Sequence, residues 1–304
     1  MYNIKSCSLC PRMCNANRLK AKGYCMGGDK ARLALVSRHM WEEPSISGTK
    51  GSGTVFFSGC NMRCVFCQNH DISHAPYGIE VSDERLAEIF IEQQNRCVHN
   101  INLVSGGHYV PNIVNALNIA NKNGLKIPVV YNSNGYETVN ALKMLEGLID
   151  VYIPDIKYYD SAAAVKYSSA PHYFETALAA VKEMYRQTGK NIFDGDGIMQ
   201  KGVIIRHLVL PGLKNDSKRI IDVIKENFGN NVYVSVMSQY TPVFKAADFK
   251  EINRRITTYE YETVTEYFLD IGLKNGYMQK RTSATSDYTP NFDLSGIRKE
   301  DENE

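Results

Sequence analysis

A chain of 304 residues with 43% hydrophobic content can bury one large core and carry a small appendage. Its formal net charge of +2 gives no strong electrostatic case for nucleic acid, and no apolar run approaches the ~18 residues a membrane span needs. No signal peptide is visible; seven of the eight cysteines fall in two groups before residue 70, which suits metal binding in a reducing cytoplasm better than a secreted disulfide framework.

The first group is Cys7-x2-Cys10-Pro11-Arg12-Met13-Cys14, followed by Cys25. Four soft ligands in a segment too short for its own core predict a metal that substitutes for hydrophobic burial. Zinc and an auxiliary iron–sulfur cluster both accept four thiolates, and the spacing leaves the two open. A pair of disulfides is the alternative that the compartment disfavours. Residues 31–40 read as a strand, and Trp41-Glu42-Glu43-Pro44 places two carboxylates either in solvent or at the mouth of a site. The Gly/Ser-rich residues 46–53 lack the Gly-Lys-Ser/Thr of a P-loop and read as a crossing loop.

After the apolar strand at residues 54–58 comes Gly59-Cys60-Asn61-Met62-Arg63-Cys64-Val65-Phe66-Cys67-Gln68-Asn69. Three thiolates from one short loop can hold three irons of a cubane cluster and leave the fourth iron open to a small molecule. A zinc site completed by His70 or His74 is the alternative. Three cysteines this close cannot all pair as disulfides.

Strand and helix patterns then alternate. Ser82 caps a helix reaching about residue 96, where Cys97 reads as a small buried side chain. Strands are expected at 101–105, 127–131, 148–153, 203–210 and 232–236. Helices are expected at 111–123, opened by Pro111, and at 137–146, 172–188 and 215–227. With 54–58 this makes six β-rich segments in repeated βα units, which require a parallel sheet covered by helices. Six are too few for a closed eight-stranded barrel, so the expected fold is α/β, a partial (β/α)6 barrel. A helix at 258–275, a polar tail over 282–293 and a frayed charged end at 299–304 could cover its open side. The expected division is a cysteine-rich segment at 1–50, the barrel at 51–245 and a carboxyl-terminal helix and tail at 246–304.

In such barrels ligands gather at the carboxyl ends of strands. Those ends carry Gly106-Gly107-His108-Tyr109, Asn132-Ser133-Asn134-Gly135 and Asp155-Ile156-Lys157, with Asp155 and Lys157 on one strand face. Arg206 and His207 point to opposite faces, with Arg206 the lumen candidate. Gln239 or Tyr240 would rim the top.

The three-cysteine loop, with an aromatic before its last Cys, resembles the signature of radical S-adenosylmethionine (SAM) enzymes. Phe56-Phe57-Ser58-Gly59-Cys60-Asn61-Met62-Arg63-Cys64 followed by Phe66-Cys67-Gln68-Asn69 is similar to the branch of pyruvate formate-lyase activating enzymes. The resemblance implies the same partial barrel, a [4Fe-4S] cluster on Cys60, Cys64 and Cys67, and SAM bound to the open iron and cleaved reductively to a 5′-deoxyadenosyl radical. It sets Phe66 against the adenine and the backbone of Gly106 and Gly107 near the SAM amino group, although His108 stands where the family has Glu. Asn132 and Asn134 match its Asp-Thr-Asn-Gly block with the acid replaced. Lys157 is matched to the methionine carboxylate, with Asp155 nearby as its partner or as a cation ligand; Arg206 lies in a further matching block. A glycyl-radical enzyme as protein substrate and an electron donor such as flavodoxin or ferredoxin follow as expected partners. The rival reading is a radical SAM enzyme acting on a peptide, small metabolite or RNA. A non-catalytic electron carrier or zinc module would have no use for an open iron or for the Asp155/Lys157 pair.

Overall fold

The computed structural model describes residues 2–279 and 289–299. Ala31–His39 (β1) leads through one helical turn, Pro44–Ser47 (α1), to Ser52–Phe57 (β2). His70–Ser73 (α2) and Ile79–Val81 (β3) follow the cysteine loop. The chain continues through Asp83–Asn95 (α3), Ile101–Val104 (β4), Val110–Lys122 (α4), Val129–Ser133 (β5), Val139–Lys143 (α5) and Val151–Pro154 (β6). Next come Ser161–Ser168 (α6), Tyr173–Thr188 (α7), Ile192–Phe193 (β7), Met199–Leu208 (β8) and Lys214–Phe228 (α8). Tyr233–Met237 (β9), Thr258–Asp270 (α9) and Gly276–Met278 (β10) complete the series.

Every residue of β2, β4 and β6 is buried, as strands covered on both faces must be. The six expected segments are β2, β4, β5, β6, β8 and β9, and they pair in parallel in that order. The fold is therefore α/β with a largely parallel sheet. Its two ends are extended: β10 adds in parallel beside β9, while β1 runs antiparallel to β2 and carries β3. β1, from before residue 51, and β10, from after residue 245, both join this sheet.

Local signals set the helix bounds. Ser82 Oγ accepts from the Arg85 N–H at 3.2 Å, and Pro111 occupies the first turn of α4. Helix α5 is shorter than the expected 137–146, since Thr138 rather than a residue before it caps the start, accepting from Ala141 N–H at 3.2 Å. Helix α9 begins with a capping box between Thr257 and Glu260 and stops at Asp270, short of 275, which frees 276–278 to pair with β9. Cys97 corrects an expectation: it follows the end of α3 with φ 58° and is exposed, because the helix terminus turns it out of the core.

Part of the polar tail is ordered against the β1 edge. Val36 N–H donates to Ser295 O at 2.9 Å, Leu294 N–H to Ala34 O at 3.2 Å, and Phe292 stands edge-on to Phe56 at 5.4 Å. Ile297 is buried, and Lys299 is held by Glu88 at 3.0 Å rather than frayed. The rest of the expected tail, 282–288 and 300–304, lies outside the described residues. No helix among the described residues is long and apolar enough to cross a membrane.

Candidate active site

The loop after β2 leaves the sheet at Gly59, whose φ of 88° favours glycine and where a Cβ would collide with the carbonyl oxygen of Cys25. Its far side is pinned to α6 by Arg63 N–H to Ser168 O at 3.0 Å and Val65 N–H to Tyr167 O at 2.9 Å. Each of the three sulfurs meets a polar neighbour. Asn134 Nδ2 and the Met62 N–H donate to Cys60 Sγ at 3.3 and 3.4 Å. The Ser168 hydroxyl donates to Cys64 Sγ at 3.0 Å, and Ser73 Oγ lies 3.3 Å from Cys67 Sγ. Burial pushes the Cys64 thiol up to about 12 and raises that of Cys67, with the Lys157 charge pulling both the other way. Metal binding removes those protons.

The three cysteines line a cavity of about 460 Å³ framed by the carboxyl ends of the parallel strands. Asn132, Asn134, Asp155, Lys157, Arg206 and Phe66 all line it, as do Gln239 and Tyr240. Phe66 is buried and meets Tyr240 edge-on at 5.5 Å. Lys157 Nζ lies 2.6 Å from Asp155 Oδ2, with both side chains 17% exposed. Burial works against the lysine charge, but Asp155, with Cys64 and Cys67, outweighs it and leaves the pKa above the ordinary value. The pair is therefore largely shielded from solvent.

Arg206 faces the cavity and His207 faces away, bonded to Ile156 O and Ser217 Oγ at 2.8 Å each. Arg206, however, is already engaged. Its guanidinium holds Glu43 through Nε to Oε1 at 2.8 Å and Nη2 to Oε2 at 2.6 Å, and it also pairs with Glu42. Asn102 Nδ2 donates to Glu42 Oε1 at 2.8 Å. Burial opposes the Glu43 charge, yet Arg206 brings its carboxyl below the usual range. Of the two readings of Glu42 and Glu43, the cavity wall is the one observed.

Gly106 and Gly107 do not line this cavity. A 3-10 turn over Gly107–Tyr109 packs Gly106 against Ile113 and Phe57, and Gly107 borders a small recess beside Cys60. His108 is turned away, its Nε2 2.9 Å from Ser58 O, and burial lowers its pKa to about 3. It does not replace the missing acid.

Two residues here were not singled out from sequence. Glu137 brings a buried carboxylate to the same recess, 2.9 Å from where a Cβ on Gly107 would stand, bonded by Ser133 Oγ and by Tyr131 OH at 3.0 Å. Tyr173, at the start of α7, accepts from Lys157 N–H at 3.1 Å and lies 2.9 and 3.0 Å from the carbonyl oxygens of Asn134 and Asp155. Its hydroxyl ties two strand-end loops together. Both depend on tertiary placement, and no local motif marks either.

Among the described residues no three His, Cys, Asp or Glu side chains are arranged as a ready-made metal-ion site. The three thiols instead line one cavity, large enough for a nucleoside-sized ligand.

The chain matches the family model described as the Radical SAM superfamily over residues 54–224. Uncharacterized protein MJ0674 of Methanocaldococcus jannaschii is 34% identical over 280 residues, 88% of this chain and 77% of that protein. Streptococcus suis SuiB bound to precursor peptide SuiA superposes with TM-score 0.52 at 14% identity, over 73% of this chain and 46% of SuiB. anSMEcpe with bound AdoMet gives TM-score 0.51 at 14% identity, over 73% of this chain and 61% of that one. The chain thus spans about half the length of the first of these structures, and the likeness to both is one of fold. The family implies a [4Fe-4S] cluster and SAM. The donor set fits, since three thiols adjoin a cavity carrying a buried ammonium for a carboxylate and Phe66 as an apolar wall. A match that starts six residues before Cys60 and covers more than half the sequence places this chain in the radical SAM superfamily.

Proposed function

We propose that the chain cleaves SAM reductively at Cys60, Cys64 and Cys67 and takes hydrogen from a protein substrate, in the manner of an enzyme that activates a glycyl-radical partner. The observation that carries this reading is the meeting of three thiols and the Asp155–Lys157 pair in one cavity. When bound, the cluster and SAM supply the electron and the carbon radical that abstracts hydrogen.

The residues of the chain bind, orient and shield. Lys157 offers a charge-assisted donor to the methionine carboxylate, and Asp155 and Tyr173 fix its position. Phe66 walls off the adenine side, and Asn134 sets the polarity around Cys60. Flavodoxin or ferredoxin fits as the electron donor. A protein substrate is favoured by the Phe56-to-Asn69 motif and by exposed Trp41 and Met40 on the cavity lining, 64% and 41% accessible.

The test uses reduced enzyme, SAM and cell extract of the source organism grown on glycine deuterated at Cα, split by size. Deuterium in 5′-deoxyadenosine from the protein fraction is the expected result. Deuterium arriving only from the small-molecule fraction of uniformly deuterated cells would overturn the choice of substrate.

A further inference from the structure

Arg18 is 3% exposed, yet no Asp or Glu among the described residues pairs with it. One of its nitrogens, Nη1, donates to His108 O at 2.6 Å and lies 3.5 Å from Tyr2 OH. Nε and Nη2 are buried without a partner. The Tyr109 ring, 5.4 Å from the guanidinium carbon, offsets only part of the cost of burying the charge, so the two nitrogens without hydrogen bonds point to an anion that completes the surroundings.

Its neighbours are the amino-terminal cysteines. A Cβ on Gly27 would stand 2.8 Å from Arg18 Nη2 and 3.3 Å from Cys25 Sγ, which puts the unpartnered nitrogen beside that sulfur. Cys14 Sγ and Cys25 Sγ lie 3.3 and 3.7 Å from one point over Gly23, and Cys7, Cys10 and Cys25 are all buried. The backbone holds this arrangement through Cys7 N–H to Ala16 O and Asn15 N–H to Cys7 O, each 3.0 Å.

Although no three of these sulfurs already form a ready-made ion site, we infer that Cys7, Cys10, Cys14 and Cys25 hold a second metal centre, zinc or an iron–sulfur cluster in four thiolates, whose negative charge is the missing partner of Arg18. Four thiolates outweigh the positive charge of either metal core, so the loaded centre is an anion. It abuts the catalytic loop. Gly59 of that loop packs so closely on Cys25 that a Cβ there would strike its carbonyl oxygen, and Asn61 Oδ1 accepts from Asn134 Nδ2 at 2.8 Å, the same nitrogen that reaches Cys60 Sγ. Arg12 Nε to Asn61 O at 2.7 Å adds a second tie.

The test is metal analysis of the full chain with Cys60, Cys64 and Cys67 all changed to Ala, isolated without oxygen and checked for folding by circular dichroism. Retained zinc without sulfide, or retained iron with sulfide, supports the centre and tells the two metals apart. Changing Cys7 and Cys10 to Ser in that background should remove the metal. Arg18→Gln should speed its loss to a chelator about ten- to a hundredfold, the usual effect of removing an outer partner of a metal ligand, and Arg18→Lys should largely restore retention. Folded triple variant with no metal would overturn the site. Metal held as tightly in folded Arg18→Gln would overturn the role of Arg18.

Discussion

Asn134 Nδ2 points at Cys60 Sγ from 3.3 Å, so the strand-end amide after β5 is a hydrogen-bond donor to a cluster ligand. Hydrogen bonds to cluster sulfurs raise reduction potentials, because they stabilise the added electron. Asn134→Ala should therefore lower the potential of the cluster by about 60 mV, the one-electron equivalent of a tenfold change in equilibrium. A redox titration followed by electron paramagnetic resonance reads it directly. An unchanged potential would show that the contact does not tune the cluster.

Lys157 has Asp155 as its buried carboxylate partner and lies near the cysteine loop. Lys157→Ala should weaken SAM binding about ten- to a hundredfold, the loss of one charge-assisted contact of roughly 1.5–3 kcal/mol. Equilibrium binding on protein of matched iron content checks it. An unaltered dissociation constant would leave Lys157 with a structural role alone.

Arg206 compensates two carboxylates that are more buried than it is, with side-chain exposures of 9% and 6% against its 13%. Arg206→Met should cost about 3–5 kcal/mol of stability, since both acids are left unpaired in the cavity wall. Urea unfolding of the two proteins in the same loading state gives the number, and a loss below about 1 kcal/mol would contradict the pairing.

Glu137 gives a pH dependence. Burial raises its pKa from 4.5 to about 7, against the pull of Ser133 and Tyr131. A carboxyl with a raised folded pKa contributes its stability below the unfolded value and loses it as pH climbs to about 7. Relative to Glu137→Gln, the wild type should lose on the order of 3 kcal/mol between pH 4.5 and 7.5. Parallel unfolding curves across that range would sink the assignment.

What the sequence made legible was chemistry confined to short spans. Cys60, Cys64 and Cys67 could be read because cluster ligation demands thiols on one loop. Asp155 and Lys157 could be read because strand parity alone puts them on one face. Apolar runs likewise marked the six parallel strands. Glu42 and Glu43 stayed ambiguous because their partner Arg206 is 164 and 163 residues away. Tyr173 and Glu137 act through positions that only packing creates. The side chain of His108 could not be placed from the Gly106-Gly107-His108 pattern, because it turns to Ser58 O, 50 residues away.

The central claim is that the Cys60, Cys64 and Cys67 loop and its cavity form a working SAM site. Its most direct test is 5′-deoxyadenosine formed by anaerobically reconstituted, dithionite-reduced protein supplied with SAM. The account expects 5′-deoxyadenosine and methionine in equal amounts from the wild type and none from Cys60→Ala, Cys64→Ala or Cys67→Ala. Full turnover in any one of the three variants would contradict it.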